Sequence, residues 1–149
     1  MQATLSIASE ADLGELLPMV ARYHETERIA SSPEERTRAL RTLLRDPKAG
    51  VVWIIRCGKM TVGYIALCFC YSIEFGGYDS FIDEFFIEEG HRGQGIGTRS
   101  LEHIVPELQR QGIRAVSLEV GNSNESAKGL YLRCGFEPRD RYSVMTRLL

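Results

Sequence analysis

From Phe81 to Leu108 the chain passes through a strand pattern, a glycine-rich turn and a helical pattern in close succession. Phe81–Ile87 is aromatic and β-branched with acidic interruptions, which predicts a strand. Ile96, Leu101, Ile104, Val105 and Leu108 recur near a helical period. Between them lies Arg92-Gly93-Gln94-Gly95-Ile96-Gly97. A strand that runs through glycines into a helix start leaves bare backbone N–H groups converging where the helix dipole is positive, which is an anion site. Glycine suits such a turn because a side chain would hold a phosphate off the backbone. A phosphorylated small molecule is the ligand class this predicts. Two common phosphate loops fail on spacing. A P-loop would need Gly-Lys-Ser/Thr where Gly97 is followed by Thr98 and Arg99, and a dinucleotide turn would need glycine at position 98 or 100, which hold Thr and Ser.

At 149 residues, 44% hydrophobic and 26% charged, the chain is read as one domain, 1–149, able to bury its own core. A net charge of −2 gives no electrostatic case for nucleic acid or an anionic membrane as partner. The start, MQATLSIASE, lacks the basic and apolar regions of a signal peptide, and no apolar run approaches a membrane span, so a cytoplasmic location is expected. Cys57, Cys68, Cys70 and Cys134 form no C-x-x-C pair. Together with His24, His91 and His103 they suggest no zinc site, so no metal is expected.

Ala3–Ala8 reads as a short strand, and Ser9 caps a helix through Leu13, Leu16, Leu17, Val20 and Tyr23, with Pro18 expected to bend it or end its first part. Ser32-Pro33-Glu34-Glu35 starts a second helix that stops near Asp46-Pro47. Val51–Cys57 and Thr61–Tyr71 make a hairpin about Gly58-Lys59. Phe75–Tyr78 reads as a loop into the strand at Phe81. Ala115–Val120 is a further strand, Asn122 or Asn124 caps a last helix ending at Gly135, and Tyr142–Leu148 is read as a final strand. The order β-α-α-β-β-β-α-β-α-β is an α/β or α+β fold with a mixed sheet.

Arg92, Gly95 and Gly97 resemble the Arg/Gln-x-x-Gly-x-Gly/Ala acetyl-CoA signature of the GCN5-related N-acetyltransferases. Asn124, Ala127, Leu130, Tyr131, Gly135 and Phe136 resemble that family's second signature, N-x-x-A-x-x-L-Y-x-x-x-G-F. The element order is similar over nearly the whole chain. Asp83-Glu84-Phe85-Phe86-Ile87, with Val62-Gly63-Tyr64, looks most like the diamine and polyamine branch. Glu89 and His91 depart from the proline and aromatic residue common before the loop.

What the resemblance implies is an acyl-CoA N-acyltransferase fold and an enzyme using acetyl-CoA as co-substrate. It would acetylate a small primary amine (a diamine, polyamine or lysine-like molecule) by direct attack in a ternary complex, and a homodimer is expected. The alternatives are a non-catalytic acyl-CoA sensor, or an acetyltransferase of aminoglycosides or protein amino groups. An alkyl ammonium has a pKa near 10.4, so freeing its lone pair at pH 7 costs roughly 4 to 5 kcal/mol and calls for a base. Glu84 is that candidate, with Asp83 on the opposite face by alternation unless a bulge exchanges them. The competing reading of Glu84 is a solvated or paired strand carboxylate. Phe85, Phe86 and Ile87 would line the cofactor arm, with the Ile87 N–H receiving the oxyanion. Arg92, Gly93, Gln94, Gly95, Ile96, Gly97 and Thr98 would hold the pyrophosphate. Tyr131 matches the family's general acid, against a plain reading as a core aromatic, and Asn124 the residue contacting the cofactor arm. Glu25, Glu27, Tyr78 and Glu84 are the expected acceptor-binding residues, the two glutamates having a solvated acidic face as the alternative. His91 and His103 read as surface residues.

Overall fold

The structure, a computed structural model, describes residues 2–149. They divide into two compact units, one reaching Glu119 and the other spanning Val120–Leu149. In the first unit the elements are β1 (Ala3–Ile7), α1 (Leu13–Thr26), α2 (Pro33–Arg45), β2 (Gly50–Cys57), β3 (Met60–Ser72), β4 (Gly77–Ile87), α3 (Ile96–Arg110) and β5 (Val116–Leu118). The second carries α4 (Glu125–Arg133).

The helix starts form where side chains can cap them. Ser9 and Asp12 make a capping box at a 3-10 turn that leads into α1, and Ser32 and Glu35 make another with Pro33 at the first turn of α2. Pro18 lies inside α1 without ending it, and Pro106 lies inside α3. The five strands align in sequence order, β1 to β4 antiparallel and β5 parallel to β4.

Alternation along β2 splits the sheet between two cores. Val52 and Ile54, with Tyr64, Ala66 and Phe86, pack on Leu16, Met19 and Val20 of α1 and Leu40 of α2. The intervening Trp53 meets His103 of α3 edge to face at 5.4 Å, so α3 covers the other face with Ile96, Leu101, Ile104 and Leu108 buried. Each such side chain withdrawn from water contributes about 1.5–3 kcal/mol.

Four expectations change in detail. β4 begins at Gly77 rather than Phe81. Of the strand expected over Ala115–Val120 only Val116–Leu118 is a strand, in register with Ser80–Ile82 of β4, while the Ala115 carbonyl accepts from the Ser80 N–H at 2.9 Å just before it. Asn124 caps α4 through its side chain to the Ala127 N–H at 3.1 Å, which leaves Asn122 no capping role. Tyr142–Leu148 is not a strand. Tyr142, Val144, Met145 and Leu148 are all exposed, and apolar alternation without a ladder partner does not by itself make a strand. Among the described residues no helix is long and apolar enough to cross a membrane.

Candidate active site

β4 is paired on both sides only at its start. Its contact with β5 ends at Ile82, while its pairing with β3 continues to Ile87. The Glu88 N–H donates to the Val62 carbonyl at 2.8 Å, so by alternation Phe86 also turns its backbone toward β3, and Phe85 and Ile87 turn theirs toward the open side. The Ile87 carbonyl is already claimed by Arg92 Nε at 2.8 Å, which leaves the Ile87 N–H as its free group on that edge. Phe86, expected to line the cofactor arm, thus turns its backbone away from that open edge. Its ring is 5% exposed and lies in the wall behind the edge, with the guanidinium of Arg22 at 6.0 Å and that of Arg92 at 5.7 Å from its centroid.

Past a short 3-10 turn at Glu89–His91, Gly93 and Gly95 take φ values of 72° and 74°, the left-handed region that glycine reaches without strain. Gly95 stands at the N-cap of α3 with no side-chain capping bond, so the first N–H groups of the helix, at Ile96, Gly97 and Thr98, have no intrahelical partner. A Cβ at Gly95 would come within 3.0 Å of the Arg99 guanidinium. Gln94 braces the turn by donating to the Gly90 carbonyl at 3.0 Å, and its own carbonyl accepts from Arg99 at 3.0 Å. Helix dipole, bare amides and the Arg92 cation together suit a diphosphate.

Glu84 sits at an irregularity. Ala66 pairs with Glu84 but the adjacent Leu67 pairs with Ile82, so Asp83 is the extra residue of a β-bulge. Simple alternation had put Asp83 on the opposite face. The bulge instead brings it into the electrostatic field of Glu84, His24 and Tyr64, while Glu84 keeps its own place, so the two carboxylates are not exchanged. Asp83 keeps an exposed surface yet is crowded by protein atoms. Burial first and the Glu84 charge second push its carboxyl above the usual range, Glu119 adds to this, and His24 opposes it.

Both oxygens of Glu84 are held. Tyr64 donates its hydroxyl to Oε2 at 2.6 Å, and His24 Nε2 lies 2.5 Å from Oε1, the His24 and Glu84 side chains being 14% and 15% exposed. His24 Nδ1 is 2.7 Å from Ser31 Oγ, which Arg36 also reaches at 3.1 Å. Burial, then the Glu84 charge and hydrogen bond, push the Tyr64 phenol far above its ordinary range, so it remains a donor.

His24, weighed in the sequence only as a zinc ligand, was missed as a partner of Glu84. The signal was there: Leu16, Val20 and His24 are spaced four apart and share one helix face. Glu25 and Glu27, expected at the acceptor, are exposed. Tyr78, exposed and edge-on to Tyr71 at 5.2 Å, is six strand residues from Glu84, roughly 20 Å along β4, and so lies away from this cluster. In the second unit Tyr131 lies on α4, its ring 5.6 Å from that of Phe136, and Asn124 caps the same helix.

The sequence model of the acetyltransferase (GNAT) family matches residues 17–136. The mouse thialysine N-epsilon-acetyltransferase is 27% identical over 133 residues, which is 83% of this chain and 78% of that protein. The [ribosomal protein bS18]-alanine N-acetyltransferase of Escherichia coli is 38% identical over 50 residues, 34% of each. Matches to the first curated relatives span only 26% to 34% of those proteins' length. Among solved structures, an integron cassette protein from the mobile metagenome of a Cole Harbour salt marsh superposes with a TM-score of 0.86 at 30% identity, over 97% of this chain and 90% of that one.

Proposed function

Because the chain belongs to the acetyltransferase (GNAT) family, we propose that residues 1–149 work as one acetyl-CoA-dependent N-acetyltransferase domain whose acceptor is a small primary amine of lysine-like or polyamine type. The observation that carries this reading is the half-paired strand β4. Its unclaimed edge runs from a held carboxylate, Glu84, to the bare amides at the start of α3, so one extended ligand could be gripped at its phosphates and presented to the base.

In this reading Arg92 and the amides from Gly93 to Thr98 hold the diphosphate, and the Phe85 backbone pairs with the ligand arm as an added strand would. Coenzyme A supplies an activated acetyl thioester when bound. Glu84 takes the proton from the incoming ammonium, and the Ile87 N–H is aimed where negative charge develops. Tyr131 is assigned as the proton donor to the departing thiolate. Its reference pKa of about 10 lies above a thiol's 8.5, so transfer from it to the thiolate is uphill by roughly 2 kcal/mol, and hydrogen-bond stabilisation is its minimum role. Asn124 is assigned to the ligand arm alongside its capping role.

The paired carboxylates at the bulge favour a cationic acceptor, and the thialysine-acetylating relative supports a lysine-like one. Thiol release is followed with acetyl-CoA and a panel of lysine, thialysine, diamines, polyamines, an aminoglycoside and an alanine-starting peptide. Release with lysine-like amines or polyamines is expected. Release with the peptide alone would move the acceptor to protein termini, and tight acetyl-CoA binding with no release across the panel would make the protein a sensor.

A further inference from the structure

The donors and acceptors around Glu84 can be ordered without placing a hydrogen by hand. Arg36 can only donate, and it donates to the Ser31 carbonyl at 2.7 Å and to Ser31 Oγ at 3.1 Å. With Oγ accepting there, the Ser31 hydrogen is free to point at His24 Nδ1, 2.7 Å away. An accepting Nδ1 puts the proton of the neutral imidazole on Nε2, which then donates to Glu84 Oε1 at 2.5 Å. Tyr64 donates to the other oxygen. Every bond runs head to tail toward one carboxylate, from β3 on one side and from Arg36 through Ser31 and His24 on the other.

We propose that His24 is a positioning residue for the base: with Nδ1 accepting from Ser31 and the Nε2 N–H donating to Oε1, it holds the Glu84 carboxylate oriented to accept the proton of the amine. The inference rests on the transferase reading above. The proton passes from the substrate ammonium to the Glu84 carboxylate, which becomes a carboxylic acid, and the freed amine pair attacks. His24 forms no covalent bond and loses no proton in that step. Without its N–H, Glu84 would face burial and the neighbouring Asp83 charge with Tyr64 as its one remaining side-chain donor among the described residues. The titratable and charged groups about the pair are Tyr64 and Cys68 from β3, Asp83 on β4, Tyr23 on α1, and Arg36 from α2 through Ser31. Glu35 and Arg38 line the open groove onto which Ser31 and His24 face.

The test is the pH profile of kcat/KM for wild type, His24→Ala and His24→Gln with the best amine of the panel. His24→Ala is expected to lower kcat on the order of 10- to 100-fold and move the acid limb up by roughly one pH unit, with the KM for acetyl-CoA unchanged. His24→Gln, whose amide N–H can still reach Glu84, is expected to recover about tenfold of that loss. An unmoved acid limb in His24→Ala, or a glutamine variant no better than alanine, overturns the inference while leaving the transferase reading intact. Wild type that releases no thiol with any amine overturns the transferase reading and the inference with it. As a measurement independent of turnover, nitrogen-15 NMR of the free protein near pH 7.5 should find the His24 proton on Nε2, and a proton on Nδ1 of a neutral ring would break the chain of donors.

Discussion

From Gly93 to Thr98 the protein offers a ligand mostly main-chain N–H groups, placed by two positive φ angles and an uncapped helix start. Around Glu84 the polar groups are side chains instead, gathered from α1, β3, β4 and the segment before α2. The two regions lie at either end of the same few residues of strand, yet they tolerate change differently. A backbone site ignores most side-chain substitutions and fails only when its dihedrals or its approach are blocked. A side-chain cluster fails by degrees, because each donor removed leaves a desolvated carboxylate less satisfied.

The sharpest break in that contrast should come at Gly95. Gly95→Val forces a β-branched residue to φ 74° and drives a Cβ toward Arg99, and acetyl-CoA affinity by calorimetry should fall on the order of 100-fold. Affinity within a factor of three of wild type would mean that the turn is not the phosphate site. Glu84→Gln should act in the opposite sense on the two regions. Turnover should fall about 100-fold or more while acetyl-CoA affinity holds, and loss of affinity instead would show that the two regions are not separable.

A smaller, graded effect is expected from Tyr64→Phe, which deletes one donor to the Glu84 carboxylate. Because a donor to the charged form favours it, its removal should shift the acid limb of activity to higher pH, with a loss of roughly tenfold at pH 7. The smallest effect should be on stability. The folded state raises the pKa of Asp83, so it holds that proton more tightly than the unfolded chain does. Stability therefore falls as pH rises from about 3.8, the value for the unfolded chain, through the folded value. Asp83→Asn should raise the Tm at pH 7 and lose that advantage below about pH 3.8, and a lowered Tm at pH 7 would contradict the crowding of that carboxyl.

Much of the architecture was written locally. Two capping boxes, the hairpin at Gly58-Lys59 and the strand–turn–helix about Gly95 each depend on residues within a few positions of one another, so reading along the chain finds them. The same holds for both family signatures, because helix starts and glycine turns are short-range chemistry. The final strand failed for the complementary reason: Tyr142–Leu148 has the right alternation, but a strand needs a neighbour, and alternation does not supply one.

The sequence by itself determined where the chain could expose its main chain to an anion, since φ > 0 and the lack of a side chain are properties of glycine wherever it stands. Only the tertiary structure decided what surrounds Glu84. A single extra residue in β4 set Asp83 beside it, and packing of α1 across the sheet carried His24 sixty positions to its carboxylate. Electrostatic fields and hydrogen bonds act through space, and the distance from residue 24 to residue 84 exists only once the sheet has formed.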